Sequence, residues 1–284
     1  MTRRAISLSL LLLVGMAETA GAQEVKTPTS GEVRVIRFRS AALARERQVH
    51  IYLPPGYQKA KARRYPVIYA LHGLGGSDRD FFRAGQLNRF LDTRIGSGVM
   101  PPAIVVAPDG GNGYWTNHYR RRRSRYGDFV ARDVVKEADT RFRTIAKREA
   151  RAIVGVSMGG HGAFSLALRH PEVFGVAISL SGALFPSAPT HRKLYGRVWG
   201  SPPNAKHWRR TSPIALMRRL PGKGPVPALY IHCGDRDGLK FFKYARLAAR
   251  ILKRRKVPYT FSRTRGGRHS WRVWRAETPA WLGY

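Results

Sequence analysis

Short apolar runs alternate with stretches of helical periodicity along most of the chain, and that rhythm predicts strands and helices in alternation. Eight runs read as strands: VRVIRF (33–38), RQVHIYL (47–53), PVIYALHG (66–73), AIVVAPDG (103–110), ARAIVGV (150–156), FGVAISLSG (174–182), ALYIHCG (228–234) and YTFSRT (259–264). The middle runs are apolar almost without a break, as strands covered on both faces are, whereas the first two alternate like antiparallel strands at an exposed edge. Helices are predicted over 127–140, 158–170 and 239–255, each between two strands as parallel crossovers require. The fold class that follows is α/β, a mostly parallel eight-stranded sheet flanked by helices. No internal repeat interrupts it.

Both ends of that pattern carry information about organisation. The opening, MTRRAISLSLLLLVGMAETAGA, has Arg3 and Arg4, an apolar run from Ala5 to Met16, and small residues at Ala20 and Ala22. It reads as a signal peptide over 1–22 cleaved after Ala22, too short in its apolar part to span a bilayer, so the mature chain is expected in a periplasm or outside the cell. Residues 23–284 suit one α/β domain. Within it, 183–227 carries Pro186, Tyr195, Trp199 and Trp208 and is expected to form a small cap that shapes an acyl pocket, most of its aromatics simply packing. Cys233 is the sole cysteine, so no internal disulfide forms, and its apolar strand marks it as a buried residue and not a nucleophile.

The chemistry centres on IVGVSMGGHGAF (153–164). Ser157 stands between Gly155 and Gly159 where an apolar strand meets an amphipathic helix, a GxSxG turn in the context it needs. Glycines leave room for the backbone to fold back, and the turn lifts the hydroxyl clear. The amides opening the helix point at any negative charge that develops beside Ser157. A serine hydroxyl needs a base, and the base needs a carboxylate to hold its tautomer. In α/β-hydrolases these follow in the order serine, acid, histidine. Asp235 and Asp237 follow the strand ALYIHCG, and His269 lies in RGGRHSW after the last strand. His72, His161 and His232 sit in a glycine loop, a helix and a strand interior, where packing or local hydrogen bonding accounts for them. An oxyanion hole is expected from the backbone N–H groups of Met158 and of Leu74, the latter in the glycine-rich LHGLGGS (71–77).

VHIYLPPGY (49–57), YPVIYALHGLGGS (65–77), VVAPDGG (105–111), GVSMGGHGAF with LRHPEVF (155–174), CGDRD (233–237) and GGRHSWRVW (266–274) together resemble the esterase D and antigen 85 branch of the α/β-hydrolase superfamily, itself similar to feruloyl and siderophore esterases. The resemblance covers nearly the whole chain after residue 22. It implies a serine esterase with Ser157 as nucleophile, His269 as base and Leu74 and Met158 as oxyanion donors. It also places the acid at the last position of CGxxD, which selects Asp237 over Asp235. Cytosolic S-formylglutathione hydrolases belong to the same group, but an exported chain would rarely meet that thioester.

Charge adds one more element. Fifty-two Lys and Arg against 17 Asp and Glu give a net charge of +35, a field that draws anionic partners without naming them. Arg120, Arg121, Arg122, Arg123 and Arg125 follow the fourth strand, on the side where open α/β sheets carry active sites, and are candidates for holding an anionic substrate or surface. A solvated arginine-rich loop is the plainer reading. No metal or cofactor is called for, since HExxH and CxxC are absent and no glycine stretch follows a dinucleotide layout. No specific nucleic-acid recognition is expected, and the mature chain is expected to have no transmembrane segment. Two other functions fit the same residues: an acyltransferase of the mycolyltransferase type, and a non-catalytic basic module that holds anionic polymers.

Overall fold

Alternation of side chains along each strand divides the core in two. In a computed structural model describing residues 30–220 and 224–284, Val67, Tyr69 and Leu71 of one central strand pack on one face of the sheet, while Ile68 and Ala70 pack on the other. Period-two geometry requires this split. The signal peptide expected over 1–22, with its cleavage after Ala22, lies outside the described residues.

The eight expected strands are all present, as β1 Glu32–Ser40, β2 Arg45–Leu53, β3 Val67–Leu71, β4 Ile104–Pro108, β5 Arg151–Val156, β6 Val176–Leu180, β7 Ala228–Gly234 and β8 Tyr259–Thr264. They form one sheet in the order β1-β2-β4-β3-β5-β6-β7-β8. β1 pairs antiparallel with β2, and β2 antiparallel with β4; every later pairing is parallel. Of the first two strands only β1 is an edge. β2 lies inside the sheet, which is why Val49, Ile51, Tyr52 and Leu53 are buried although its first residues face water.

Helices cover both faces, as the apolar β3 and β4 demand. They are α1 Asp80–Arg83, α2 Leu87–Gly96, α3 Tyr126–Asp128, α4 Val135–Arg141, α5 Met158–Arg169, α6 Arg192–Trp199, α7 Ala205–Thr211, α8 Pro213–Met217, α9 Phe241–Arg254 and α10 Trp271–Leu282. A π-helical stretch, Phe129–Val134, joins α3 to α4. α5 and α9 pack on one face through Phe164, Leu166, Ala248 and Leu252, and α2 and α10 on the other through Leu91, Val273 and Trp281. Each of the Leu, Val and Phe side chains, when fully buried, contributes about 1.5–3 kcal/mol.

The expected helices over 127–140, 158–170 and 239–255 correspond to α3 through α4, α5 and α9. α1, α2, α6, α7, α8 and α10 were not expected. α10 contains Pro279, which lacks the N–H a helix interior uses, and α1, α7 and α8 are too short for a periodic signal. No described helix is long and apolar enough to cross a membrane.

Candidate active site

The end of β5 turns into α5 in a single residue. Ser157 has φ 57° and ψ −115°, a conformation that opposes an L side chain. The backbone is held there from both sides: its N–H donates to Leu180 O at 2.9 Å, and its carbonyl accepts from Ala183 N at 2.9 Å. Gly155 and Gly159 are obligatory, since a Cβ on Gly155 would overlap the Gly159 carbonyl and one on Gly159 the Leu71 carbonyl.

The next strands along the sheet carry the remaining candidates at the same edge. Asp237 follows β7, its carboxylate enclosed. His269 follows β8, and its Nδ1 lies 2.6 Å from Asp237 Oδ2. Oδ1 accepts from Leu239 N at 3.0 Å. Burial pushes the Asp237 carboxyl up, but His269 and the Leu239 N–H outweigh it and hold the group below the usual carboxylate range. Asp235 faces elsewhere: its Oδ1 accepts from Gly266 N at 2.7 Å, tying the two loops together. The structure thus sets Asp237, not Asp235, against the imidazole.

His269 is gripped edge-on by Phe241 at 5.4 Å and Trp274 at 4.9 Å between ring centroids. Trp274 is itself fixed, its Nε1–H donating to Ser181 Oγ at 3.1 Å. Backbone packs on backbone beneath the loop, where Arg236 N donates to Gly267 O at 3.0 Å and a Cβ on Gly234 would overlap that carbonyl. Among the described residues no hydrogen bond joins Ser157 to His269. Asp237 and His269 are paired.

Leu74 belongs to the loop after β3, whose neighbour Gly73 lies so near the serine that a Cβ there would come 3.4 Å from Ser157 Cβ. Met158 is the first residue of α5, where an N–H has no intrahelical acceptor. Neither amide finds an acceptor among the described residues. The loop is clamped by His72, Trp115 and Asn112. Gly110 N donates to His72 Nε2 at 3.0 Å, so the proton sits on Nδ1 and is donated to Gly73 O at 2.7 Å. Trp115 Nε1–H donates to His72 O at 3.2 Å, and Asn112 Oδ1 accepts from Gly75 N at 2.8 Å. Asn112 and Trp115 follow β4 and gave no sequence signal beyond that position.

The other histidines have structural partners. His161 Nδ1 lies 3.1 Å from Ala183 O, and burial pushes this imidazole down to about 4. His232 Nε2 lies 2.9 Å from Thr264 Oγ1. Cys233 is fully buried and burial pushes its thiol up to about 12, so no thiolate forms at neutral pH. Between β6 and β7, Trp199 and Trp208 pack edge to face at 5.0 Å. Of the loop arginines, Arg125 donates through Nε to Asp128 at 2.6 Å, Arg120 lies over the Tyr119 ring at 5.1 Å, and Arg121, Arg122 and Arg123 are exposed.

The model of the family described as "Putative esterase" matches residues 40–283. The chain belongs to this esterase family. A protein of Xylanibacter ruminicola named endo-1,4-beta-xylanase/feruloyl esterase is 31% identical over 166 residues, 55% of this chain and 22% of that protein. The chain thus spans under a quarter of that relative's length. An acetyl esterase of Caldicellulosiruptor saccharolyticus is 25% identical over 257 residues, covering 84% of this chain and 92% of that one. A solved ferulic acid esterase superposes with a TM-score of 0.72 at 24% identity, covering 89% of this chain and 96% of that one, which supports the α/β-hydrolase fold. The esterase resemblance seen in the motifs and the fold class read from periodicity both hold.

Proposed function

We propose that the chain is an exported carboxylic ester hydrolase that works through Ser157, His269 and Asp237 and an acyl-enzyme intermediate. The observation that carries this is the enclosed Asp237 paired at 2.6 Å with His269, on loops at the sheet edge where Ser157 occupies the strained turn. Asp237 holds the Nδ1–H tautomer and leaves Nε2 free to accept a proton. Ser157 Oγ bonds to the ester carbonyl carbon as its proton passes to Nε2. The Leu74 and Met158 N–H groups hold the oxyanion, each donor being worth about 2.7–4 kcal/mol in the transition state. Collapse breaks the bond to the alcohol, which leaves with the proton from Nε2. Water then attacks the acyl-enzyme by the same route.

The Ser157 to His269 hydrogen bond, unformed here, closes around bound substrate, as catalytic hydrogen bonds that are long in free enzymes do. The acetyl and feruloyl esters named for the relatives are natural first substrates. A chain-length series of p-nitrophenyl esters run on wild type and Ser157→Ala tests the reading, together with a fluorophosphonate probe. Hydrolysis lost in the variant and label found on Ser157 are expected; equal hydrolysis by both proteins would refute it. Export is tested by the N-terminus of the mature protein, expected at Gln23.

A further inference from the structure

We infer that an open cleft between the loop after β4 and the cap segment is a subsite for a polyanionic chain that carries the ester. The cleft, about 610 Å³, is lined by Arg121 from the loop and by Arg192, Lys193, Gly196 and Arg197 of α6, with Ser201 beyond. Four cations converge there, all exposed, and among the described residues none of them has an acidic partner. Arg192 and Lys193 occupy the first turn of α6, which holds no acid, so they add to the positive end of the helix and do not offset it. Burial pushes the His118 imidazole down to about 4, and the charges of Arg121 and Arg197, two of the cleft's cations, add to the effect. So concentrated a positive field is relieved by several anionic oxygens at once, and guanidinium forks suit carboxylate and phosphate alike.

The cleft is joined rigidly to the candidate active site. Tyr119 N donates to Val198 O at 3.0 Å, fixing the loop to α6. From α6, Tyr195 touches Phe185 at 5.7 Å, Phe185 touches Phe241 at 6.0 Å, and Phe241 touches His269 at 5.4 Å. Tyr195 also meets Tyr114 at 5.5 Å, which meets His161 on α5 at 5.6 Å. A ligand three rings from His269 lies too far for the charge of a small ester, but it suits a chain whose anionic units repeat beyond the ester. The structure thereby divides the loop arginines expected to bind anions: Arg121 lines the cleft, with α6 supplying the rest, and Arg125 is committed to Asp128.

The substrate part of this inference rests on the esterase reading; the binding part does not. Calorimetry with inorganic tripolyphosphate and with pentagalacturonate, run on Ser157→Ala, measures the cleft without turnover and separates phosphate from carboxylate chemistry. Arg192→Glu/Arg197→Glu is expected to weaken at least one of these ligands by about tenfold or more. Arg250→Glu/Arg254→Glu, the same charge change on the exposed face of α9, is expected to stay within about threefold of the parent. Arg121→Gln gives a second, milder variant with the same expected direction. Equal binding by the cleft variants and the parent, or equal losses in the α9 control, would overturn the site. With active enzyme, kcat/KM for acetylated polygalacturonate against its carboxyl-amidated form should favour the charged polymer in wild type and lose that preference in Arg192→Glu/Arg197→Glu. An unchanged preference alongside lost binding would overturn the substrate assignment.

Discussion

Replacing Asp237 by Asn tests the catalytic reading at its most specific point. The side chain keeps its shape, and its enclosed position gives it no freedom to turn toward solvent. Keeping the 3.0 Å hydrogen bond from Leu239 N requires the amide oxygen at the Oδ1 position, which turns the NH2 toward His269 Nδ1, 2.6 Å away in the parent. Nδ1 must then accept, the proton moves to Nε2, and the nitrogen needed as base is blocked. A wrong tautomer of this kind lowers kcat by about 10⁴, or about 5.4 kcal/mol of barrier. Asp235→Asn should stay within about threefold, because an amide oxygen accepts from Gly266 N as well as a carboxylate does, and Arg263 is 3.9 Å away on the surface. Steady-state hydrolysis of p-nitrophenyl acetate, with thermal melts to show that both variants fold, measures the contrast. Retention of a tenth of wild-type kcat by Asp237→Asn, or an equally deep fall in Asp235→Asn, would refute the assignment.

Asn112→Ala removes the anchor of Gly75 and should cost about 1 kcal/mol of transition-state stabilisation, read as a roughly fivefold fall in kcat with the melting temperature little changed. Gly159→Ala drives a methyl into the Leu71 carbonyl and should lower stability in urea unfolding by more than about 3 kcal/mol or prevent folding. His161 is held neutral in the fold and titrates near 4, whereas an exposed imidazole titrates near 6.5. The unfolded chain therefore binds the proton first as pH falls, and the fold loses about 1.4 kcal/mol per pH unit between those values. Urea midpoints at pH 7.5 and 4.5 should differ more in wild type than in His161→Gln. Added trehalose or glycerol should leave the release of free acid unchanged; acyl transfer to either at the expense of hydrolysis would make the protein a transferase.

What the sequence made legible was whatever a local pattern encodes. The inner parallel strands were visible because they are apolar almost throughout, β1 and β2 because their side chains alternate, and Ser157 because its glycines meet carbonyl oxygens that leave no space for a methyl group. His269 stood out by its place after the last strand. Asp237 needed the family pattern, since Asp235 lies two residues away and only the fold shows which of them the imidazole meets. Asn112 and His72 escaped as supports of the Leu74 loop because their partners, Gly75 N and Gly110 N, are 37 and 38 residues distant in the chain. The basic cleft escaped for the same reason: Arg121 is far from Arg192 in sequence, and the run of arginines at 120–125 is locally more conspicuous than the scattered cations of α6. α10 was hidden by Pro279.

At residue 157 the backbone would be more comfortable with glycine. The mirror image of its φ and ψ falls among common extended conformations, open to a residue without a Cβ but costly by about 1–3 kcal/mol to one that has it. Ser157→Gly should therefore melt at a higher temperature than the parent while hydrolysing nothing. On the proposed mechanism, durability alone would favour glycine at this position, and the serine gives up that comfort for its reactivity.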